Sequence, residues 1–91
     1  MQDATSISDL PDREKLLTMS GFDFMCAIRD GAIPRPPIAR VLNYHIAEVL
    51  DGEVAFVGTP KFDHTNPMGT LHGGWYGAML DSCMSCAVMT K

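Results

Sequence analysis

Between Gly73 and Thr90 the sequence "GGWYGAMLDSCMSCAVMT" carries a single charged side chain, Asp81. A continuous helix over this run would rise about 27 Å. Its large apolar residues (Trp75, Tyr76, Met79, Leu80, Met84, Val88 and Met89) point in many directions around the axis. A helix that rests on one neighbour shows a polar face, and this one shows none. The pattern predicts a buried helix wrapped on most sides by other structure. It argues against a membrane span, because Asp81 would sit near the bilayer centre, with two serines and three glycines in the same run.

The rest of the chain offers little with which to wrap it. The sequence has 91 residues, enough for one small domain. Residues 1–19 are polar and expected to be flexible, with one helical turn around "DREKLL". Ser20 and Asp23 form a capping-box pattern ahead of "FDFMCAIRD", where Phe24/Ile28 and Phe22/Met25 fall on neighbouring turns. Arg29 and then Gly31 give the stop signal. "IPRPPIARVLN" reads as a proline-laced connector ending in a helical turn. "NYHIAEVL" and "EVAFVGT" are strand-like runs joined by Asp51-Gly52, the pair favoured in a type I′ hairpin turn. Strict alternation places Tyr44, Ile46 and Leu50 on one face of the first strand, and Val54, Phe56 and Gly58 on one face of the second. "PKFDHTNPMGTLH" is a loop punctuated by Asn66-Pro67 and Gly69. The fold class expected is α+β: an N-terminal helix, a hairpin and a long central helix. One hairpin cannot surround a helix of that length, so further structure is required.

The net charge of −4 and pI near 5.1, with scattered basic residues, exclude a phosphate-neutralising nucleic-acid interface. The cysteines (Cys26, Cys83 and Cys86) are odd in number and lack a secreted spacing. The N-terminus has no signal-peptide pattern, so a cytoplasmic setting is expected. For Cys83-Met-Ser-Cys86, with His64 and His72 upstream, a zinc site would need all four as ligands, and a redox pair would sit at a helix start rather than in its middle. The cysteines read as core filler, and no metal or cofactor is expected.

Two glycines at a helix start leave backbone N–H groups unpaired and unshielded. With the helix dipole they can hold an anion or a carbonyl oxygen gaining negative charge, or they can simply allow close packing. Asp81 likewise has two readings, a carboxylate satisfied by a neighbouring backbone group or serine, or a base or nucleophile whose pKa is raised by burial. No Lys or Arg lies between Lys61 and Lys91 to neutralise it. Gly73 and Asp81 are eight residues apart, about 12 Å along one helix. A carbonyl held at about 3 Å from the Gly73 N–H is out of reach of Asp81 of the same chain. A shared reaction therefore needs two antiparallel helices, as a two-fold dimer supplies.

The segment "HTNPMGTLHGGWYGAMLDS" resembles the active-site segment of hot-dog-fold acyl-CoA thioesterases of the PaaI-like type, in the 4-hydroxybenzoyl-CoA thioesterase superfamily. The shared features are a spaced Asn, Gly, His-Gly-Gly and Asp, with the preceding helix and hairpin in the same order. The resemblance implies a sheet curled around one central helix, and homodimers or homotetramers with sites at the dimer interface. It implies Asp81 as nucleophile or general base, and Gly73 as the N–H donor to the thioester carbonyl. Asn66 would position the nucleophile or carbonyl, and His72 would support the loop and thioester end. Gly74, Met68 and Trp75 would contact the acyl-CoA substrate. On the residues alone, Asn66 also reads as the start of an Asn-Pro turn and His72 as a helix-start hydrogen bonder. A thiol leaving group, with a pKa of about 8.5, departs without a strong acid, so so sparse a site can suffice. The resemblance covers residues 20–91, the N-terminal half of such a fold, and its later strands are expected to be missing. Alternatives on the same fold are an inactive fragment that binds acyl groups or a partner chain, and an enoyl-CoA hydratase.

Overall fold

Residues 3–91 are described by a computed structural model, and they form an α+β arrangement of four α-helices and one antiparallel hairpin. The helices are α1 (Arg13–Leu17), α2 (Gly21–Asp30), α3 (Pro37–Leu42) and α4 (Gly73–Met89); the strands are β1 (Tyr44–Leu50) and β2 (Glu53–Gly58). Local chemistry sets the helix ends. The Ser20 hydroxyl accepts the Asp23 N–H at 3.0 Å, and Gly31 closes α2 in the left-handed conformation. Pro37 opens α3, where its missing N–H costs nothing, and Asn43 ends it at φ 57°.

The core lies where α2 and α4 meet the hairpin. Met25, Ile46 and Val49 are its buried centre, with Phe22, Ile28, Phe56 and Cys86 packed around them. Tyr44 is fully buried, meets Phe56 edge-on with ring centroids 5.6 Å apart, and shares a 2.9 Å hydrogen bond with the Ser82 hydroxyl of α4. Two glycines permit the tightest approaches. A Cβ on Gly21 would meet the Met89 carbonyl oxygen at 1.8 Å, and one on Gly58 would meet Tyr44 and the Trp75 ring at 2.9 and 3.0 Å. The far end of α4 is tied to the hairpin loop, since the buried Thr90 hydroxyl accepts the Gly52 N–H at 2.8 Å.

Two expectations about the hairpin are corrected. The strand alternation breaks at Ala47: Ile46 pairs with Phe56 but Glu48 with Ala55, so β1 carries one extra residue. That bulge flips the pattern downstream, burying Val49 and turning Leu50 outward. The hairpin turn is left-handed at Gly52 alone, with Asp51 outside that region, so it is not the expected type I′ turn, which needs positive φ at both central residues. In the N-terminal segment α1 forms at the helical turn expected around "DREKLL", after a 3₁₀ turn (Ile7–Asp9). The Arg35 guanidinium clamps the Asp3 carboxylate with bonds of 2.5 and 3.0 Å, and Ala4 is buried beside it.

α4 is covered on one side only. Tyr76, Leu80, Met84 and Val88 form an exposed row at four-residue spacing, and nothing among the described residues lies over it. No helix of the described residues is long and apolar enough to cross a membrane.

The bulge gives a direct test. Val49→Ala should cost roughly 1–3 kcal/mol in urea unfolding, because it opens the core. Leu50→Ala should stay within about 0.5 kcal/mol; equal losses would mean an unbulged strand. A second test concerns pH. The hydrogen bonds from Arg35 hold the Asp3 carboxyl below its ordinary value. A lowered carboxyl contributes its stabilisation in full above the unfolded-state value and loses it as pH falls through the lowered one. Acidification through that window should release the Arg35 Nε–H, seen by NMR, and Asp3→Asn should abolish the transition.

Candidate functional site

The loop between β2 and α4 is organised by its own polar side chains. Asn66 accepts the Met68 and Thr70 N–H groups on Oδ1, at 3.0 and 3.2 Å, and donates from Nδ2 to the Thr70 hydroxyl at 2.7 Å. Thr65 and Leu71 bridge across the loop, and the His72 N–H donates to the His64 carbonyl at 2.9 Å. Residues 64 and 72 therefore close a neck, and α4 begins immediately after it.

His72 caps that helix. Its Nδ1 accepts the Gly74 N–H at 2.8 Å, and its carbonyl accepts the Trp75 N–H at 3.0 Å. The Gly73 N–H has no partner among the described residues. A Cβ placed on Gly73 would touch nothing within 4 Å, so this glycine is not required for packing. The helix start thus presents one open donor, flanked by donors already satisfied.

Trp75 is 6% exposed, and its indole N–H donates to the Leu42 carbonyl at the end of α3, at 2.7 Å. His64, 8% exposed, is placed beside it: Nδ1 accepts the Lys61 N–H at 2.9 Å and Nε2 meets the Val41 carbonyl at 2.7 Å. An open cleft of about 230 Å³ runs alongside, lined by Leu42, Asp63, His64, Thr65, His72, Gly74 and Trp75. Sequence reasoning did not select His64 for this site. A histidine just before a turn-forming Thr-Asn-Pro carries no local mark of burial, since both of its side-chain partners are backbone groups.

Of the residues singled out from sequence, His72, Gly74 and Trp75 share that cleft. Asn66 is committed to its own loop, and Met68 stands 84% exposed at the loop tip. Trp75 shows the cleft little more than one edge, because most of its ring serves as an anchor. Asp81 is exposed, contrary to the buried placement expected, and accepts no hydrogen bond among the described residues. It shares one row of α4 with Gly73, Gly77 and Ser85, beside the row Tyr76–Leu80–Met84–Val88. All eight residues are exposed. A larger open groove, about 400 Å³, lies between the hairpin tip and the second half of α4, at Glu48, Leu50, Val54, Met84 and Ala87, well away from Gly73.

Burial pushes the Cys86 thiol up, with the charges of Cys83 and Asp81 adding to the effect, as befits a packing residue rather than a nucleophile. Among the described residues no three His, Cys, Asp or Glu side chains gather closely enough to hold a metal ion. No family model matches the chain, and comparisons with curated proteins and with solved structures give no match either.

The helix start makes a clean prediction about stability. His72→Ala should cost about 1 kcal/mol through the lost cap. Gly73→Pro should change urea stability by no more than about 0.5 kcal/mol. Proline suits the first helical position, the deleted N–H bonds nothing, and His72 already has the extended ψ of 133° that a following proline demands.

Proposed function

We propose that this chain is a hot-dog-type acyl-CoA thioesterase subunit whose active site is completed by a second copy of itself. The reading is supported chiefly by the open Gly73 N–H, standing on the same uncovered helix face as the only charged side chain of α4. Asp81 and Gly73 lie about 12 Å apart along that helix. Two α4 helices packed in opposite directions would bring each Asp81 beside the other copy's Gly73. The two exposed rows suit such packing. The small row leaves a groove in which the apolar ridge of the mate can rest.

In this arrangement the Gly73 N–H, reinforced by the helix dipole, hydrogen-bonds the thioester carbonyl and stabilises it as negative charge develops. Asp81 of the other copy serves as general base on a water molecule, or attacks the carbonyl carbon itself. In the first route Asp81 takes the proton, the hydroxyl bonds to carbon, and the C–S bond breaks to release CoA thiolate and the free acid. The cost of leaving Asp81 in the dimer interface is met by its contact with water and substrate, as catalytic carboxylates require. His72 fixes the helix start and Asn66 fixes the loop that shapes the substrate entrance. Met68 and the cleft beside Gly74 and Trp75 are offered to the substrate's CoA side. The setting is cytoplasmic, where acyl-CoA esters occur.

Complementation between two inactive variants tests the shared site. Asp81→Asn should lower thioester turnover more than about a hundredfold, and Gly73→Pro by about 10²–10³-fold. Mixed and refolded in equal amounts, the two should regain about a quarter of the wild-type rate, because half the dimers are mixed and each mixed dimer holds one intact site. No recovery, with both variants folded, would place the acid and the amide in one chain and overturn the dimer reading. An unaffected Asp81→Asn would remove Asp81 from catalysis.

A further inference from the structure

We infer that His64 is a positioning residue of this site: its imidazole ties the neck of the 64–72 loop to the end of α3 and so aims the Gly73 N–H. The inference rests on the thioesterase reading above and adds to it a residue that acts through its hold on the loop rather than on the reacting atoms.

Burial alone makes His64 unusual. It and Thr90 are the only polar residues among the buried ones described. Both ring nitrogens are engaged by backbone groups. The Lys61 N–H can only donate, so Nδ1 accepts and carries no proton. The proton of the ring is then on Nε2, directed at the Val41 carbonyl 2.7 Å away. Both nitrogens are therefore committed to backbone partners. Its role is to hold.

What it holds is the peptide that bears the open donor. The Gly73 N–H belongs to the His72–Gly73 peptide plane. The Trp75 N–H holds that plane by its His72 carbonyl, and the His72 N–H on the His64 carbonyl holds the peptide just before it. His64 and Trp75 in turn grip consecutive carbonyls, Val41 and Leu42. These belong to the last turn of α3, where no helical N–H remains to claim them. Their rings lie 6.4 Å apart between centroids. A loosened His64 frees the neck, and the Gly73 N–H loses its bearing.

The test uses His64→Phe, which keeps an aromatic ring but no hydrogen bond, and His64→Gln, whose amide can still donate toward Val41. Expected for His64→Phe are a fall in kcat of about 10²-fold with KM within about twofold, since a misaimed group costs rate more than binding. His64→Gln should recover about a tenth of the wild-type kcat or more. Independently of activity, the His72 amide should exchange slowly in the wild-type protein and at least tenfold faster in His64→Phe. Unchanged kcat, or a slow His72 amide in a folded His64→Phe, overturns the inference. Should His64→Phe fail to fold, imidazole ¹⁵N NMR of the wild-type chain decides: the Nε2–H tautomer is required, and the Nδ1–H tautomer refutes it. Absence of thioester turnover in the wild type would instead sink the thioesterase reading, while the exchange and tautomer results still report whether His64 holds the loop.

Discussion

Two carbonyl groups at the end of α3 carry the junction on which the site depends. Every α-helix ends with carbonyls that its own N–H groups cannot reach. Here Asn43, in the left-handed conformation, turns its N–H back to Ala39 and Arg40, leaving Val41 and Leu42 to outside donors. The donors come from the two ends of one short segment, His64 at the loop neck and Trp75 in the first turn of α4. Neutral side-chain hydrogen bonds of this kind contribute about 1 kcal/mol each, and leaving a buried partner unmatched costs more. The junction thereby couples the connector, the loop and the long helix. The Asn43 side chain extends it to the end of the hairpin through the Thr59 carbonyl at 2.9 Å.

The uncovered face of α4 is the second governing feature. Isolated exposed apolar residues are ordinary on a protein surface, but a contiguous row marks an interaction site. Tyr76, Leu80, Met84 and Val88 make a contiguous exposed row, and the small or polar residues Gly73, Gly77, Asp81 and Ser85 lie beside it. The opposite face is fully used: Ser82 meets Tyr44, Cys86 joins the core, and Thr90 meets the hairpin loop. The absence of a polar face in the sequence thus corresponds to two apolar sides, one packed within the chain and one exposed.

Much of the site's local structure was legible in the sequence because it is local. Ser20, Gly31, His72 and the Asn66-Pro67 turn act on atoms within a few residues, and the structure uses each as a cap or turn. The role of His64 was not legible, because its partners are backbone groups of Lys61 and of Val41, the latter 23 residues away. The anchoring of Trp75 was not legible for the same reason: only the folded chain brings Leu42 and Gly58 against its ring.

By itself the sequence determined the kinds of elements and their order, since periodicity, caps and turn residues are properties of neighbouring side chains. It determined that α4 shows no polar face and bears one carboxylate, Asp81, eight residues beyond Gly73. The tertiary structure decided which side of each element faces inward. The extra residue at Ala47 reversed the sides of Val49 and Leu50, and docking of α4 on the hairpin left Asp81 in the open rather than the interior. Such choices depend on distant surfaces competing for the same apolar contacts, and no short stretch of sequence records the outcome.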